Sequence, residues 1–113
     1  MICRGDIYWF DFGMPRGSEP GYFRPVVVIQ NDIANQSAIR TVLACVLTTN
    51  ERLARAWGNV LLEPDEGGLS HTSVVNVSQV ITIDKADLTD ETFIGTLDPE
   101  RVDQIVAGIR LFL

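Results

Sequence analysis

The chain has one histidine, His71, one lysine, Lys85, and two cysteines, Cys3 and Cys45, among 113 residues. Each scarcity excludes a class of chemistry. A lone imidazole cannot build a histidine-centred acid–base pair or a multi-histidine metal site, and it limits a cysteine–histidine nucleophile to one combination. His71 stands in a polar turn before Ser73, where the ordinary expectation is an exposed side chain. No glycine-rich phosphate loop precedes a helix pattern. No apolar run nears the ~20 residues that span a bilayer. The first six residues have neither an h-region nor a small-residue cleavage site, so the expectation is a cytoplasmic protein with two unpaired thiols; a Cys3–Cys45 disulfide is the alternative.

Positive charge is also scarce. The net charge of -6 argues against a generic nucleic-acid binder, but its distribution is uneven. Residues 1–57 carry six arginines against five acids, whereas residues 58–113 carry three basic groups against ten acids. Arginine, the side chain suited to bidentate phosphate contacts, supplies eight of the nine basic groups. A polyanion would therefore meet the first half.

What is present in quantity is hydrocarbon. At 46% hydrophobic, residues 1–113 suit one compact domain. Alternation in Asp6–Phe12 puts Ile7 and Trp9 on one face and Tyr8, Phe10 and Phe12 on the other. Arg4-Gly5-Asp6 spells an adhesion tripeptide, read here as a turn into that strand. Thr41–Leu47 is apolar on both faces, which predicts a central strand. Further short strands are predicted at 59–63, 73–77, 80–84 and 93–97, with 32–40 a short helix or wide turn. The end of the chain is the clearest helix: Asp98 stands at the N-cap, Pro99 at the first helical position, and Leu97 and Val102 have staple spacing. Val102, Ile105, Val106, Ile109 and Phe112 form one stripe, and Gly108 within it predicts a close approach. The sum is a mainly β fold with α (β+α): a small, strongly curved antiparallel sheet closed by a C-terminal helix.

The stretch from Gly17 to Asn31 organises the rest. An eleven-residue loop, 13–23, holds three glycines and two prolines, a length at which loops are usually functional. It runs into Arg24-Pro25 and then into β-branched residues, a strand predicted to extend from Pro25 to Asn31. Pro25 biases Arg24 toward extended backbone, fixing a guanidinium where a loop enters a sheet.

Four further blocks complete a pattern: Arg4-Gly5-Asp6-Ile7-Tyr8, Gly17-Ser18-Glu19, Leu47-Thr48-Thr49-Asn50, and Ser73 to Lys85. With Arg24 to Asp32 they resemble the MazF/PemK toxin family in order and roughly in spacing, over nearly the whole chain. The resemblance implies an SH3-like small barrel of antiparallel strands with a C-terminal helix, assembled as a homodimer. It implies a bacterial type II toxin, a ribosome-independent, sequence-specific endoribonuclease, with a MazE-like antitoxin whose acidic segment occupies the RNA groove. It carries the family's catalytic arginine onto Arg24 and its catalytic threonine onto Thr48, and sets Glu19 as a general-base or RNA-binding candidate. Neither metal nor cofactor is implied.

The residue chemistry fits that implication. RNA brings its own nucleophile, the 2′-hydroxyl, so the protein need only align it and stabilise charge on the phosphate. A forked guanidinium and a hydroxyl supply that. Arginine stays protonated, which makes a simple base role for Arg24 awkward and Glu19 the better candidate. Ser18, Thr49, Asn76 and Gln79 could hydrogen-bond RNA, and Tyr22 and Phe23 could stack on bases; Phe12 is expected to be packing. Against this stand two bland readings: Arg24 held in a salt bridge to Asp6, Asp11 or Glu19, and Thr48 merely ending a strand. Two other functional classes are a CcdB-like toxin that binds DNA gyrase on the same fold without catalysis, and a plain SH3-like adaptor.

Overall fold

The computed structural model describes residues 1–14, 17 and 22–113. Six strands, β1 (Asp6–Asp11), β2 (Phe23–Val28), β3 (Thr41–Thr48), β4 (Val60–Leu62), β5 (Ser73–Asp84) and β6 (Phe93–Thr96), form one antiparallel sheet in the order β4-β5-β3-β2-β1-β6. Two helices are added, α1 (Asp32–Asn35) and α2 (Pro99–Arg110). Among the described residues no helix is long and apolar enough to cross a membrane. Arg4-Gly5-Asp6 is indeed a turn: Gly5 has φ 93°, and the Asp6 carboxylate accepts from Cys3 N (2.9 Å) and Thr96 Oγ1 (2.8 Å).

The alternation sorts side chains into two cores. Ile7, Val27, Cys45, Leu47, Val75 and Val77 share one with Leu97, Val102 and Ile105 of the helical end. Tyr8, Val26, Val28, Val42, Ala44 and Val46 share the other with Leu88, and Phe10 and Phe12 pack against it. Strand β3 therefore feeds both, as a strand apolar on both faces must. Each fully buried Val or Ile contributes about 1.5–3 kcal/mol of transfer free energy to holding the sheet together. Both cysteines are free, and burial pushes the Cys45 thiol up to about 12.

Two strands differ from expectation. β2 starts at Phe23 and ends at Val28, earlier at both ends than 25–31. The polar pair Ser78-Gln79 does not break 73–84 into two strands; it lies in a bulge of the single strand β5. Cys45 pairs with Val80 and Val46 with Asn76, so residues 77–79 have no counterpart in β3. The bulge is satisfied from outside the ladder: Asn59 Oδ1 accepts from Val77 N at 2.9 Å, and Cys45 Sγ–H donates to Asn76 O at 3.1 Å. A bulge of this kind bends its strand, which curls the sheet.

The curl leaves β4 and β6 as edges, bridged by a 3₁₀ turn at Glu66–Gly68. A Cβ on Gly95 in β6 would lie 2.3 Å from Gly67 O, so turn and strand meet backbone to backbone. Arg101 of α2 ties the turn down with a two-pronged ion pair to Glu66 (2.8 and 3.0 Å). α2 docks as its glycine predicted: a Cβ at Gly108 would fall 2.1 Å from Gly58 O. Asp98 does precede the helix, but its carboxylate makes no capping bond; its backbone carbonyl accepts from Arg101 N and Val102 N instead. Phe112, last in the stripe, is half exposed and sits on Trp57 with ring centroids 5.1 Å apart.

Candidate active site

The β2–β3 ladder stops where a proline removes its donor. Val26 pairs with Val46, Val27 with Cys45 and Val28 with Ala44; beyond Val26 stands Pro25, which has no N–H. Extended by two residues, the same register sets Arg24 opposite Thr48, on one face of adjacent strands. On β1 the row continues through Phe10, the partner of Arg24, and on β5 through Val74, the partner of Thr48. Past the last bridge the strand ends part, and a cavity of about 310 Å³ opens there. Trp9, Phe23, Arg24 and Pro25 line it from β1 and β2, and Leu47, Thr48 and Thr49 from the end of β3. The segment Gly68 to His71, with Ser73 and Ile94, closes the other side. Residues of both strand faces contribute, so the cavity sits over the strand ends.

Both central groups are half-buried, accessible and held. Thr48 Oγ1 accepts from Asn50 N at 3.2 Å, a bond that uses the oxygen and leaves the O–H to donate elsewhere. Asn50 in turn caps the 3₁₀ turn Glu51–Arg55 through Arg52 N (3.2 Å), so the residues after Thr48 are fixed. Arg24 follows Tyr22, which takes φ 60° although bulky, a left-handed conformation rarely found outside constrained segments. The Asp6 carboxylate, one of the acids considered for a salt bridge, is engaged by Cys3 and Thr96.

Of the residues singled out in the sequence, the cavity brings together Arg24, Thr48, Thr49 and Phe23. Tyr22, Asn76 and Gln79 do not line it; Asn76 lies at the bulge and accepts from Ser78 Oγ at 3.0 Å. Ser18 and Glu19 fall outside the described residues. Phe12 packs, as expected, with Phe10 at 4.8 Å. Of the other lining residues, His71 and Trp9 bring side chains with binding chemistry of their own. His71 is exposed as its turn suggested, yet reaches the cavity because the 68–71 segment folds back over the strand ends. Trp9 lies on the face of Ile7, and its neighbours in sequence carry no marker of a site. Among the described residues no group of three or more His, Cys, Asp or Glu could hold a metal ion.

A family model of PemK-like, MazF-like toxins of type II toxin–antitoxin systems matches residues 3–113. The chain belongs to this toxin family. Endoribonuclease MazF6 of Mycobacterium tuberculosis is 42% identical over 113 residues, covering all of this chain and 97% of the relative. Endoribonuclease EndoA of Bacillus subtilis is 35% identical, again over all of this chain and 95% of its own length. A mycobacterial endoribonuclease solved with its cognate antitoxin superposes with a TM-score of 0.77 at 23% identity, covering 98% of this chain and 93% of that one. The likeness of fold extends to the curled sheet and the C-terminal helix.

Proposed function

We propose that this chain is the toxin of a type II toxin–antitoxin pair and acts as a metal-independent endoribonuclease on single-stranded RNA. The observation that supports the reading is one cavity, at the open end of the β2–β3 ladder, lined by both Arg24 and Thr48. A guanidinium and a hydroxyl so arranged can grip the non-bridging oxygens of one phosphodiester, the atoms on which charge grows during attack. The adjacent 2′-oxygen attacks phosphorus in line, the P–O5′ bond breaks, and the products carry a 2′,3′-cyclic phosphate and a 5′-hydroxyl. The proton leaving the 2′-hydroxyl goes to a base for which Glu19 remains the candidate. Histidine is the side chain best able to exchange a proton near neutrality, and His71 on the cavity wall is the candidate donor to O5′. Family membership and the endoribonuclease relatives support this over a gyrase-binding toxin, which would need neither Arg24 nor Thr48.

The same reading gives a homodimer acting in the bacterial cytoplasm, inhibited by a MazE-like antitoxin whose acidic segment competes for the cationic cavity. One experiment tests the chemistry. Purified protein is incubated in excess chelator with a long single-stranded RNA, and with the same RNA carrying one 2′-deoxy residue at the cut site. Cleavage of the first and not the second is expected. Cleavage of both removes the 2′-hydroxyl mechanism, and cleavage of neither returns the gyrase-binding alternative.

A further inference from the structure

Trp9 and Phe23 stand between two cavities. One is the Arg24–Thr48 cavity; a second, of about 240 Å³, is lined by the same two aromatics together with Phe10, Asp11, Asp87 and Thr92. Trp9 is 45% exposed and Phe23 63%, unusual for rings with a core available on either side of the sheet. Trp9 is nevertheless anchored, since its backbone N–H donates to Thr92 O at 2.8 Å. Phe23 is the cross-strand partner of Asp11. The two cavities differ in sign. The first presents a guanidinium; the second presents two carboxylates, which accept hydrogen bonds and repel a phosphodiester. A strand of RNA gripped by its phosphate in the first has its backbone excluded from the second, and only an uncharged base can enter.

We infer that the second cavity is a nucleobase subsite, in which a base beside the scissile phosphate stacks on Trp9 and Phe23 and is read by Asp87 and Asp11. The inference rests on the ribonuclease reading and deepens it. Asp11 is partly committed, its Oδ1 accepting from Gly13 N at 2.8 Å, while the Asp87 carboxylate accepts no hydrogen bond from a described residue. Asp87 is therefore the principal reader. Guanine fits best: its N1–H and N2–H₂ lie side by side and match the two oxygens of one carboxylate. Adenine and cytosine set an acceptor nitrogen beside their amino group, and uracil flanks its N–H with carbonyls, so each turns a lone pair toward the carboxylate. Aromatic stacking of a base is tolerant of sequence, so Trp9 supplies affinity and Asp87 supplies choice.

The test is to sequence the 5′ ends of fragments cut from a random single-stranded RNA pool by wild type, Asp87→Asn, Asp11→Asn, Trp9→Ala and Trp9→Phe. The wild type should enrich guanine at one fixed position within two nucleotides of the cut. Asp87→Asn should reduce that enrichment about tenfold, the scale of one good base contact, and Asp11→Asn less, with the other positions of the word unaltered. Trp9→Ala should slow cleavage of every word about tenfold and Trp9→Phe should restore it. A wild type that cuts RNA while both Asp variants keep its profile, or a Trp9→Ala as fast as wild type, overturns the subsite alone. A wild type that cuts no RNA overturns the ribonuclease reading and the subsite with it.

Discussion

The β2–β3 ladder has two ends, and they use polar side chains in opposite ways. At the end near Val28 and Ala44 the polar groups saturate one another. The Asn35 amide donates to Gln30 O (2.9 Å) and Asp32 Oδ1 (3.1 Å), and Gln30 Nε2 donates to Asn35 Oδ1 (3.0 Å) and Thr41 O (3.1 Å). Arg4 N donates to Asp32 Oδ1 at 2.7 Å, and Lys85 Nζ reaches Asn35 O and Ser37 O at 2.8 and 3.0 Å, capping the C-terminal end of α1. At the other end Pro25 stops the ladder, and Arg24 and Thr48 line an open cavity. The closed end pairs its polar side chains with one another, whereas the open end presents Arg24 and Thr48 to a cavity, where the proposed chemistry takes place.

The sharpest way to break that comparison is to truncate both ends and read two properties. Arg24→Ala should lower the rate of RNA cleavage by ~10²–10³-fold, the cost of removing one charge-stabilising donor, and Thr48→Val should approach it while Thr48→Ser retains most activity. Arg24→Ala should leave the protein folded under the assay conditions, and Thr48→Val, which removes the acceptor of Asn50 N, should cost about 0.5–1.5 kcal/mol in urea unfolding. An Arg24→Ala that unfolds as readily as it loses activity would make the guanidinium a structural cation and erase the difference between the ends.

At the closed end the roles reverse. Asn35→Ala strips partners from Gln30 and Asp32 in a half-buried network, and should cost about 1–3 kcal/mol in urea unfolding. Cleavage of a fixed RNA should be unchanged below the denaturation midpoint. Equal loss of rate would mean that the polar cluster steers the cavity through the ladder.

What could be seen beforehand follows from how local each feature is. β1, β3 and α2 are written in alternation and staple spacing, which neighbouring residues determine. The resemblance named Arg24 and Thr48, but their juxtaposition depends on which residue of β3 faces Val26, a tertiary fact with no sequence marker. Ser78-Gln79 looked like a turn because two polar residues interrupt hydrocarbon. The strand survives there because Asn59 and Cys45, distant in sequence, satisfy the bulge. Trp9 and His71 carry no marker in the sequence for the same reason: nothing near either one reveals that residues 68–71 return to cover the strand ends. Asp98 shows the converse, a residue at the correct position whose expected bond is not made.

The weakest contrast between the two ends should appear in pH dependence, where stability and activity report different groups. Burial pushes Cys45 up to about 12 from 9.0, and burial, reinforced by the charge of Asp6, pushes Tyr8 up to about 12 from 10.0. A neutral acid whose folded value is raised stabilises the fold fully below its unfolded value, so stability should fall from about pH 9 toward 12, with Cys45→Val delaying the onset by about one pH unit. On the acid side the directions reverse. The Arg4 N–H, aided by the Asn35 amide, holds Asp32 below its ordinary 3.8, and the Arg101 fork holds Glu66 below 4.5. A depressed carboxylate contributes above its unfolded value and loses that contribution as pH falls, so the urea midpoint should drop below about pH 4.5. The drop should be small, since both groups are well solvated and exposed pairs contribute little. Asn35→Ala and Arg101→Met should each flatten it, while Asn35→Ala, remote from the cavity, should leave the pH profile of cleavage unmoved. A cleavage profile that shifts with Asn35→Ala would join the two ends into one titrating network.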